Sequence, residues 1–285
     1  MDDTLALPAA AAARRSPRPP AGRAWLLPLV VGAIYVFLLA PIVIVVLAAF
    51  NSGEYLRFPP EGFSLRWFVK AAQHQPFVRA FVYSLRLAVL ATLASTVLGT
   101  MAALFVVRYA RRARDLLRLL LVAPLQFPAI LTGIALLIFF YATGLGTRGM
   151  RALLVGHTLV ALPYVFLTVS TVLVGFDRSL EEAARSLGAG PLVTFWRITL
   201  PLIKGGLISG ALFAFITSFD QFPISLLLIS VGNTTLPIQL FDYLRFSFDP
   251  AAAAVSTVSI VLSVIIVVLI ERLVGLESIY WGGPR

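Results

Sequence analysis

Cysteine is absent from this chain of 285 residues, and charged residues make up only 13% of it. The lack of cysteine excludes disulfide bonds, thiol catalysis and cysteine-based metal sites. The chain has two histidines and no His-Glu-x-x-His sequence, so the residues indicate neither a catalytic centre nor a metal site. A Walker A loop needs Gly-Lys followed by Ser or Thr, whereas the two lysines, Lys70 and Lys204, follow Val69 and Ile203. Any ATP that drives this protein is therefore bound by another polypeptide, and we expect no cofactor in this chain.

Long apolar segments recur along the chain, and hydrophobic residues account for 59% of it. A helix needs roughly 20 apolar residues to cross a bilayer, and it satisfies its own backbone hydrogen bonds there. The pattern therefore predicts an all-α membrane protein with six transmembrane helices in one domain, residues 24–275. The predicted spans are residues 25–50, 80–107, 116–141, 152–176, 205–231 and 251–273.

The formal net charge is +10. A basic soluble protein could bind nucleic acid, but basic loops retained in the cytoplasm and touching anionic lipid explain the charge of a membrane protein better. With the N-terminus inside, fifteen Lys and Arg residues fall on the cytoplasmic side and seven on the other. We therefore expect both termini in the cytoplasm, contact with membrane lipid and no nucleic-acid partner. Residues 1–23 are predicted to be a disordered cytoplasmic segment, and residues 276–285 a cytoplasmic tail.

The longest loop on the outer face follows the first span. Its residues 63–70 predict a short amphipathic helix that lies at the membrane interface. Trp67 and Phe68 are expected to anchor this helix in the interface.

The polar segment 177–203 lies between the fourth and fifth spans. Ser179 and Glu182 have the spacing of a capping box, which predicts a helix start. Gly188 is suited to the end of that helix. The segment therefore begins with one short helix that ends at a glycine turn.

A second short helix is predicted after Gly190, with Pro191 at its first position. Its apolar face is formed by Leu192, Phe195, Trp196 and Thr199, and Pro201 is expected to end it. An apolar face on a charged loop is typical of a surface that docks on a partner protein. The alternative is that Glu182 only caps its helix while Phe195 and Trp196 pack against the ends of the spans.

Residues 182–201 have the spacing Glu-Ala-Ala-x3-Gly-x9-Ile-x-Leu-Pro. This resembles the EAA loop of ABC-importer permeases, through which that family receives force from its ATPase. The resemblance implies contact with the ATPase or a helix start for Glu182, and a turn at Gly188. The residues that it assigns to ATPase coupling are Glu182, Ala183, Ala184, Gly188, Ile198, Leu200 and Pro201.

Smaller matches extend the resemblance to the polyamine (spermidine/putrescine) branch of these permeases. They are Phe50-Asn51-Ser52, the stretch from Gly156-His157 to Pro163-Tyr164, Gly175-Phe-Asp177, and Ser218-Phe-Asp220. The resemblance implies the type I ABC importer permease fold and a bacterial inner-membrane location. It also implies two ATP-binding subunits that carry ATP and Mg, a second permease subunit in a heterodimeric pair, and a periplasmic substrate-binding protein. The small-molecule substrate would be a polyamine or another small organic ion.

Asp220 is the only acidic residue in the interior of a predicted span, since Glu271 lies at the very end of the last one. A carboxylate there is costly, by about 2.5–3.5 kcal/mol, and is therefore expected to face a cavity or a partner. Pro223 removes its own amide donor and frees the carbonyl of Phe219, so a cation site is one interpretation. A structural hydrogen bond to a neighbouring span is the other. His157 is interpreted either as a structural hydrogen-bonding group or as a ligand. Gln126 lies between Pro124 and Pro128, and the broken helix that these prolines indicate either lines the substrate path or only sets helix packing. The candidates for the substrate path are Asp220, Gln221, Ser218, Phe222, Gln126 and His157.

Two other functions would suit a polytopic protein. An intramembrane serine protease needs Gly-x-Ser-Gly, but Ser209-Gly210 follows Leu207-Ile208. A secondary transporter or channel that works without ATP remains the alternative to an ATP-driven importer.

Overall fold

The computed structural model describes residues 25–230 and 232–274, and these residues are helical apart from loops and two isolated β-bridges. The predicted all-α fold class is confirmed. The predictions for residues 1–23 and 276–285 fall outside the described part of the chain. The helices are α1 (Leu26–Ala49), α2 (Arg66–Gln73), α3 (Gln75–Arg108), α4 (Arg114–Gln126), α5 (Ala129–Ala142), α6 (Arg151–Gly175), α7 (Ser179–Ser186), α8 (Pro191–Thr194), α9 (Leu200–Phe219), α10 (Pro223–Leu228), α11 (Leu236–Phe246) and α12 (Ala251–Val274).

The chain divides into two compact units, and the boundary lies within α1, between Ile44 and Val45. The described part of the first unit is an apolar helical segment with Pro41 in its interior. The second unit contains the end of α1 and all the other helices. Every site described below lies in the second unit.

Within the described residues, five helices are long and apolar enough to cross a membrane, and a sixth span results if the bent pair α4 and α5 counts as one. The chain bends by 105° between these two helices. A proline disfavours the helical conformation of the residue before it, and Phe127, which precedes Pro128, is extended. The third span, predicted as residues 116–141, is therefore broken at Phe127, whereas Pro124 is accommodated inside α4.

The fifth span differs from its predicted bounds of 205–231. It begins at Pro191 and runs without a break to Phe219. The chain then leaves the helix for three residues, and Pro223 starts α10. Proline fits the first turn of a helix, where its missing amide is not needed. Pro223 therefore begins a new helix and does not lie within a continuous span.

Helices α3, α6 and α9 pack closely in the core of the second unit. A Cβ atom added to Gly99 of α3 would lie 2.8 Å from Cβ of Val165 on α6, and one added to Gly210 of α9 would lie 2.8 Å from Cα of Val165. Small residues allow helices in membranes to approach in this way. The three helices are therefore held together along much of their length. The buried side chains around this contact include Ala103, Val106, Ala161, Phe166, Val169, Ile203 and Ala214.

The amphipathic helix predicted near residues 63–70 is present as α2. However, Trp67 does not project into lipid as an interface anchor does, because only 6% of it is exposed. The guanidinium of Arg66 and the ammonium of Lys70 lie 4.6 and 4.9 Å from the centre of its ring. The prediction for Trp67 is wrong because the ring packs inside the protein, in the same apolar cluster as Phe77.

Candidate functional site

Helix α7 begins at Ser179, but the predicted capping box does not form. The backbone N–H of Ser179 donates to Oδ1 of Asp177, at 2.9 Å, and no side chain caps the helix from its N-cap residue. Hydrogen bonds from Ser179 lower the pKa of Asp177, which is fully exposed. An acceptor at this point satisfies one of the free amides of the first turn. Asp177 therefore caps the start of α7, which the sequence analysis had predicted for Ser179 and Glu182.

The two glutamates of α7 have opposite environments. Glu182, the first residue of the EAA-like sequence, is exposed. Glu181 is only 5% exposed. Its Oε2 pairs with Nη1 of Arg108 at the end of α3, and its Oε1 accepts a hydrogen bond from the hydroxyl of Thr199. Neighbouring helical residues point about 100° apart, so Glu181 faces the protein while Glu182 faces away. Sequence reasoning missed Glu181 and Arg108 because no pattern links residues this far apart.

The turn after α7 follows from Gly188, whose φ is +87°. Its amide donates to the carbonyl of Arg185 at 2.9 Å, and the amide of Ala189 donates to that of Ala184 at 3.0 Å. These two bonds define a Schellman motif with the glycine at its left-handed position. The predicted helix end at Gly188 is confirmed as local structure.

The second short helix does not end at Pro201. Helix α8 continues through a π-helical turn, Phe195–Thr199, directly into α9. In this turn the amide of Leu200 donates to the carbonyl of Phe195, five residues back. Such a turn accommodates a proline that has no amide of its own and that would clash with the carbonyl four residues earlier. Pro201 therefore sits in the first turn of α9, and Ile198 and Leu200 are half-buried beside it.

Three large apolar side chains are the most exposed ones in this loop. Leu187 is 89% exposed, Leu192 74% and Trp196 63%. We call these three residues the docking patch. Leu192 and Trp196 are four residues apart and therefore lie on one face. Ala183 is also exposed, whereas Ala184 is half-buried. The loop thus presents apolar groups that are not used in the core.

His157 lies among α6, α9 and α10 and is buried. Its Nδ1 is 2.9 Å from Oγ of Ser218, and its Nε2 is 2.9 Å from Oγ of Ser225. Ser225 in turn donates to the carbonyl of Gln221 at 2.6 Å. Two of the predicted path residues, His157 and Ser218, are therefore in contact, and their polar groups are directed at each other.

Asp220 caps the C-terminal end of α9 and is exposed, so it does not lie inside a helix as the sequence had suggested. It lines a cavity of about 460 Å³ between α9, α11 and α12. The hydroxyl-bearing residues Ser256, Ser259 and Ser263 line the same cavity from α12. A carboxylate and several hydroxyls in a cleft with apolar walls can accept hydrogen bonds from a cationic ligand.

The other predicted path residues are placed differently. Gln221 and Phe222 follow Asp220 and are half-buried, and the ring of Phe222 lies 5.2 Å from that of Phe241. Gln126 is exposed at the end of α4 and does not line the cavity of Asp220. No three His, Asp or Glu side chains in the described part of the chain come together as a metal site.

The domain is all-helical, has a cleft with apolar walls, one carboxylate and three serines, and exposes a helical loop with an apolar patch. These features fit a subunit of a membrane transporter. Residues 95–275 match the family described as "Binding-protein-dependent transport system inner membrane component". The putrescine transport system permease protein PotI of Escherichia coli K12 is 36% identical over 229 residues, which cover 78% of this chain and 81% of PotI. The spermidine/putrescine transport system permease protein PotC of Haemophilus influenzae is 31% identical over 236 residues, which cover 83% of this chain and 91% of PotC.

Solved structures share the fold. A bacterial ABC transporter involved in the import of the acidic polysaccharide alginate matches with a TM-score of 0.67 at 17% identity, over 91% of this chain and 99% of that chain. The methionine ABC transporter MetNI, in an inward-facing conformation, matches with a TM-score of 0.60 at 20% identity, over 72% of this chain and 97% of that chain.

The chain belongs to the family of inner membrane components of binding-protein-dependent transport systems. It has the type I ABC importer permease fold and is a permease subunit of an ABC importer. It is not itself an enzyme, since ATP is used by the partner ATPases.

Proposed function

We propose that this permease forms part of the path by which an ABC importer moves a polyamine across the bacterial inner membrane. The two relatives with this cargo in their names, PotI and PotC, support a polyamine. The observation that carries the proposal is the carboxylate of Asp220 in a cavity of about 460 Å³ with three serines. A polyamine is a chain of ammonium and methylene groups. It therefore requires both a carboxylate and apolar walls, and the cavity provides the two together.

Loop 177–203 is the coupling element of this importer. The docking patch inserts into a groove of an ATPase subunit, and Glu182 and Ala183, which are exposed beside it, contribute polar and small contacts. Both termini and this loop are cytoplasmic, as the distribution of basic residues predicts. Two ATPase subunits, which carry ATP and Mg, act on this chain and on a second, different permease subunit. A periplasmic binding protein delivers the substrate from the other side.

The test begins with a mild-detergent purification of the tagged full-length chain and mass spectrometry of the proteins that co-purify. An ATPase with a Walker A motif and a second six-span protein are the expected companions. The assembled complex is then placed in proteoliposomes with its binding protein, and uptake of labelled putrescine is measured with and without ATP. Uptake that requires ATP supports the proposal. Uptake by this chain alone without ATP would favour a secondary transporter or channel. ATP-driven uptake of other solutes but not of putrescine would refute the proposal that the substrate is a polyamine.

A further inference from the structure

We propose that Arg108 and Glu181 form a positioning pair that transmits movement of α7 to α3 and α9 during transport. The proposal rests on the coupling role of loop 177–203. It adds residues that lie outside the EAA-like sequence, and it places the force-bearing contact inside this chain, one residue before the exposed Glu182.

The geometry joins three separate elements through one carboxylate. Oε2 of Glu181 pairs with Nη1 of Arg108 at the last residue of α3. Oε1 accepts from the hydroxyl of Thr199 in the π-helical turn that precedes α9. The side chains of Arg108 and Glu181 are only 10% and 7% exposed. Because ion pairs are weakened by solvent and salt, burial makes this contact stiffer than an ion pair on the surface.

The chain segments on either side of α7 transmit its movement less directly than the ion pair of Arg108 and Glu181 does. Before α7 the chain is extended at Phe176, and after it the chain turns at Gly188 and Gly190. Glycine allows rotation at such points. Among the described residues, the hydrogen bond of Arg108 to Glu181 is the one that connects α7 with α3. This pair therefore gives a push on α7 a direct and buried route to α3.

Movement at the end of α3 is then carried along the bundle. Gly99 of α3 and Gly210 of α9 pack against the same residue of α6, Val165, with no room for a Cβ atom. Closely packed helices move as bodies because their interfaces do not deform continuously. Displacement of Arg108 and Thr199 by Glu181 therefore shifts α3 and α9 together.

The experiment measures substrate uptake per ATP hydrolysed in proteoliposomes that contain the complete importer. The variants are Glu181→Gln, Arg108→Gln, the exchange Arg108→Glu with Glu181→Arg, and Thr199→Val. Arg111→Gln is the matched control, because Arg111 is an exposed neighbour in the loop after α3. The two single variants of the pair should still co-purify with the ATPase and hydrolyse ATP. Their uptake per ATP should fall by about 5- to 150-fold, which is the factor that corresponds to the usual coupling free energy between two sites.

The exchange variant should recover part of this loss, since it restores an ion pair with reversed charges. Thr199→Val keeps the ion pair and should lower uptake per ATP less than Glu181→Gln does. This variant also keeps the proposal testable if the charge variants do not fold. Unchanged uptake per ATP in Glu181→Gln and Thr199→Val would overturn the proposal. Loss of ATPase binding in the folded single variants would also overturn it, because the pair would then only shape the docking surface.

A different result would show that loop 177–203 has no coupling role at all. If Trp196→Glu leaves the ATPase bound and transport normal, loop 177–203 is not the docking element, whatever the Arg108 variants do.

Discussion

Nδ1 of His157 on α6 lies 2.9 Å from the hydroxyl oxygen of Ser218 on α9. The other ring nitrogen lies 2.9 Å from the hydroxyl of Ser225 on α10. Both nitrogens are therefore occupied inside the protein, and the ring joins three helices at the point where α9 ends and α10 begins. This geometry supports the structural interpretation of His157 and leaves Asp220, two residues after Ser218, as the acidic residue that lines the cavity.

Replacement of His157 by Leu should destabilise the protein and affect transport only through folding. The change leaves the buried hydroxyl of Ser218 without a partner, which costs about 1–3 kcal/mol, whereas Ser225 keeps its hydrogen bond to the carbonyl of Gln221. The midpoint of thermal unfolding in detergent measures the loss, and Thr143→Val is the control because Thr143 is exposed and bonds only within α5 and its end. A variant with unchanged stability and impaired uptake would instead show that His157 contacts the substrate.

Asp220→Asn should raise the KM for putrescine uptake about tenfold or more. The reason is that a hydrogen bond to a charged group contributes about 1.5–3 kcal/mol, and about 1.4 kcal/mol corresponds to a factor of ten. Asp220→Glu keeps the charge and should lose less. The matched control is Asp242→Asn, since Asp242 is exposed on α11 and does not line the cavity. Equal uptake kinetics in wild type and Asp220→Asn would favour a structural role.

Gly188→Val should impair the docking loop through backbone strain alone. No atom lies within 4 Å of a Cβ added at Gly188, but its φ of +87° disfavours a side chain by about 1–2 kcal/mol, and less for Asn than for a branched residue. The order of ATPase-coupled uptake should be wild type, then Gly188→Asn, then Gly188→Val. Gly190→Ala is the control, because Gly190 is equally open but has a φ of −68°. The explanation by strain fails if Gly190→Ala and Gly188→Val have the same effect.

Trp196→Glu should abolish co-purification of the ATPase while leaving the permease folded. A charge in the docking patch would be buried without a partner in the groove of the ATPase, and an unpaired buried charge is strongly unfavourable. Leu145→Glu places the same residue at an equally exposed position outside the loop and should retain the ATPase. Recovery of ATPase with Trp196→Glu at the level of Leu145→Glu would contradict the docking role.

The ion pair of Lys70 and Asp249, at 2.5 Å, should hold α2 against the start of α12 with no dependence on pH across the neutral range. Burial raises the pKa of Asp249, but hydrogen bonds from Lys70, Tyr243 and the amide of Ala251 outweigh it and leave that pKa below its ordinary value of 3.8. The hydrogen bond to Asp249 raises the pKa of Lys70 above 10.5.

The directions of these two pKa shifts define the pH range in which the ion pair stabilises the fold. A lowered carboxyl pKa contributes stability that is present above pH 3.8 and is lost as the pH falls through the folded value. A raised lysine pKa contributes stability that is present below pH 10.5 and is lost as the pH rises further. The difference in melting temperature between wild type and Asp249→Asn should therefore be constant from about pH 5 to 9 and shrink in acid. A change in this difference between about pH 5 and 9 would contradict the prediction.

Features that depend on neighbouring residues in the chain could be predicted. Apolar length defines a membrane span wherever it occurs, so the class of protein followed from the sequence. The end of α7 at Gly188 followed too, because a left-handed turn after a short helix needs glycine. The break at Phe127 was partly foreseen from the two prolines, although only Pro128 causes it.

The tertiary structure alone decided which polar groups meet. Glu181 and Glu182 are neighbours in the sequence, and which of them is buried depends on Arg108, 73 residues away, and on Thr199. The prediction from hydropathy also extended the fifth span past Asp220. Hydropathy measures how apolar a segment is and does not detect that three residues leave the helix there. By itself the sequence determined that the chain crosses the membrane and carries an EAA-like loop, since both are written in local composition and spacing. Folding decided which carboxylate is buried in an ion pair and which lines a cavity, since burial depends on residues that are distant in the chain.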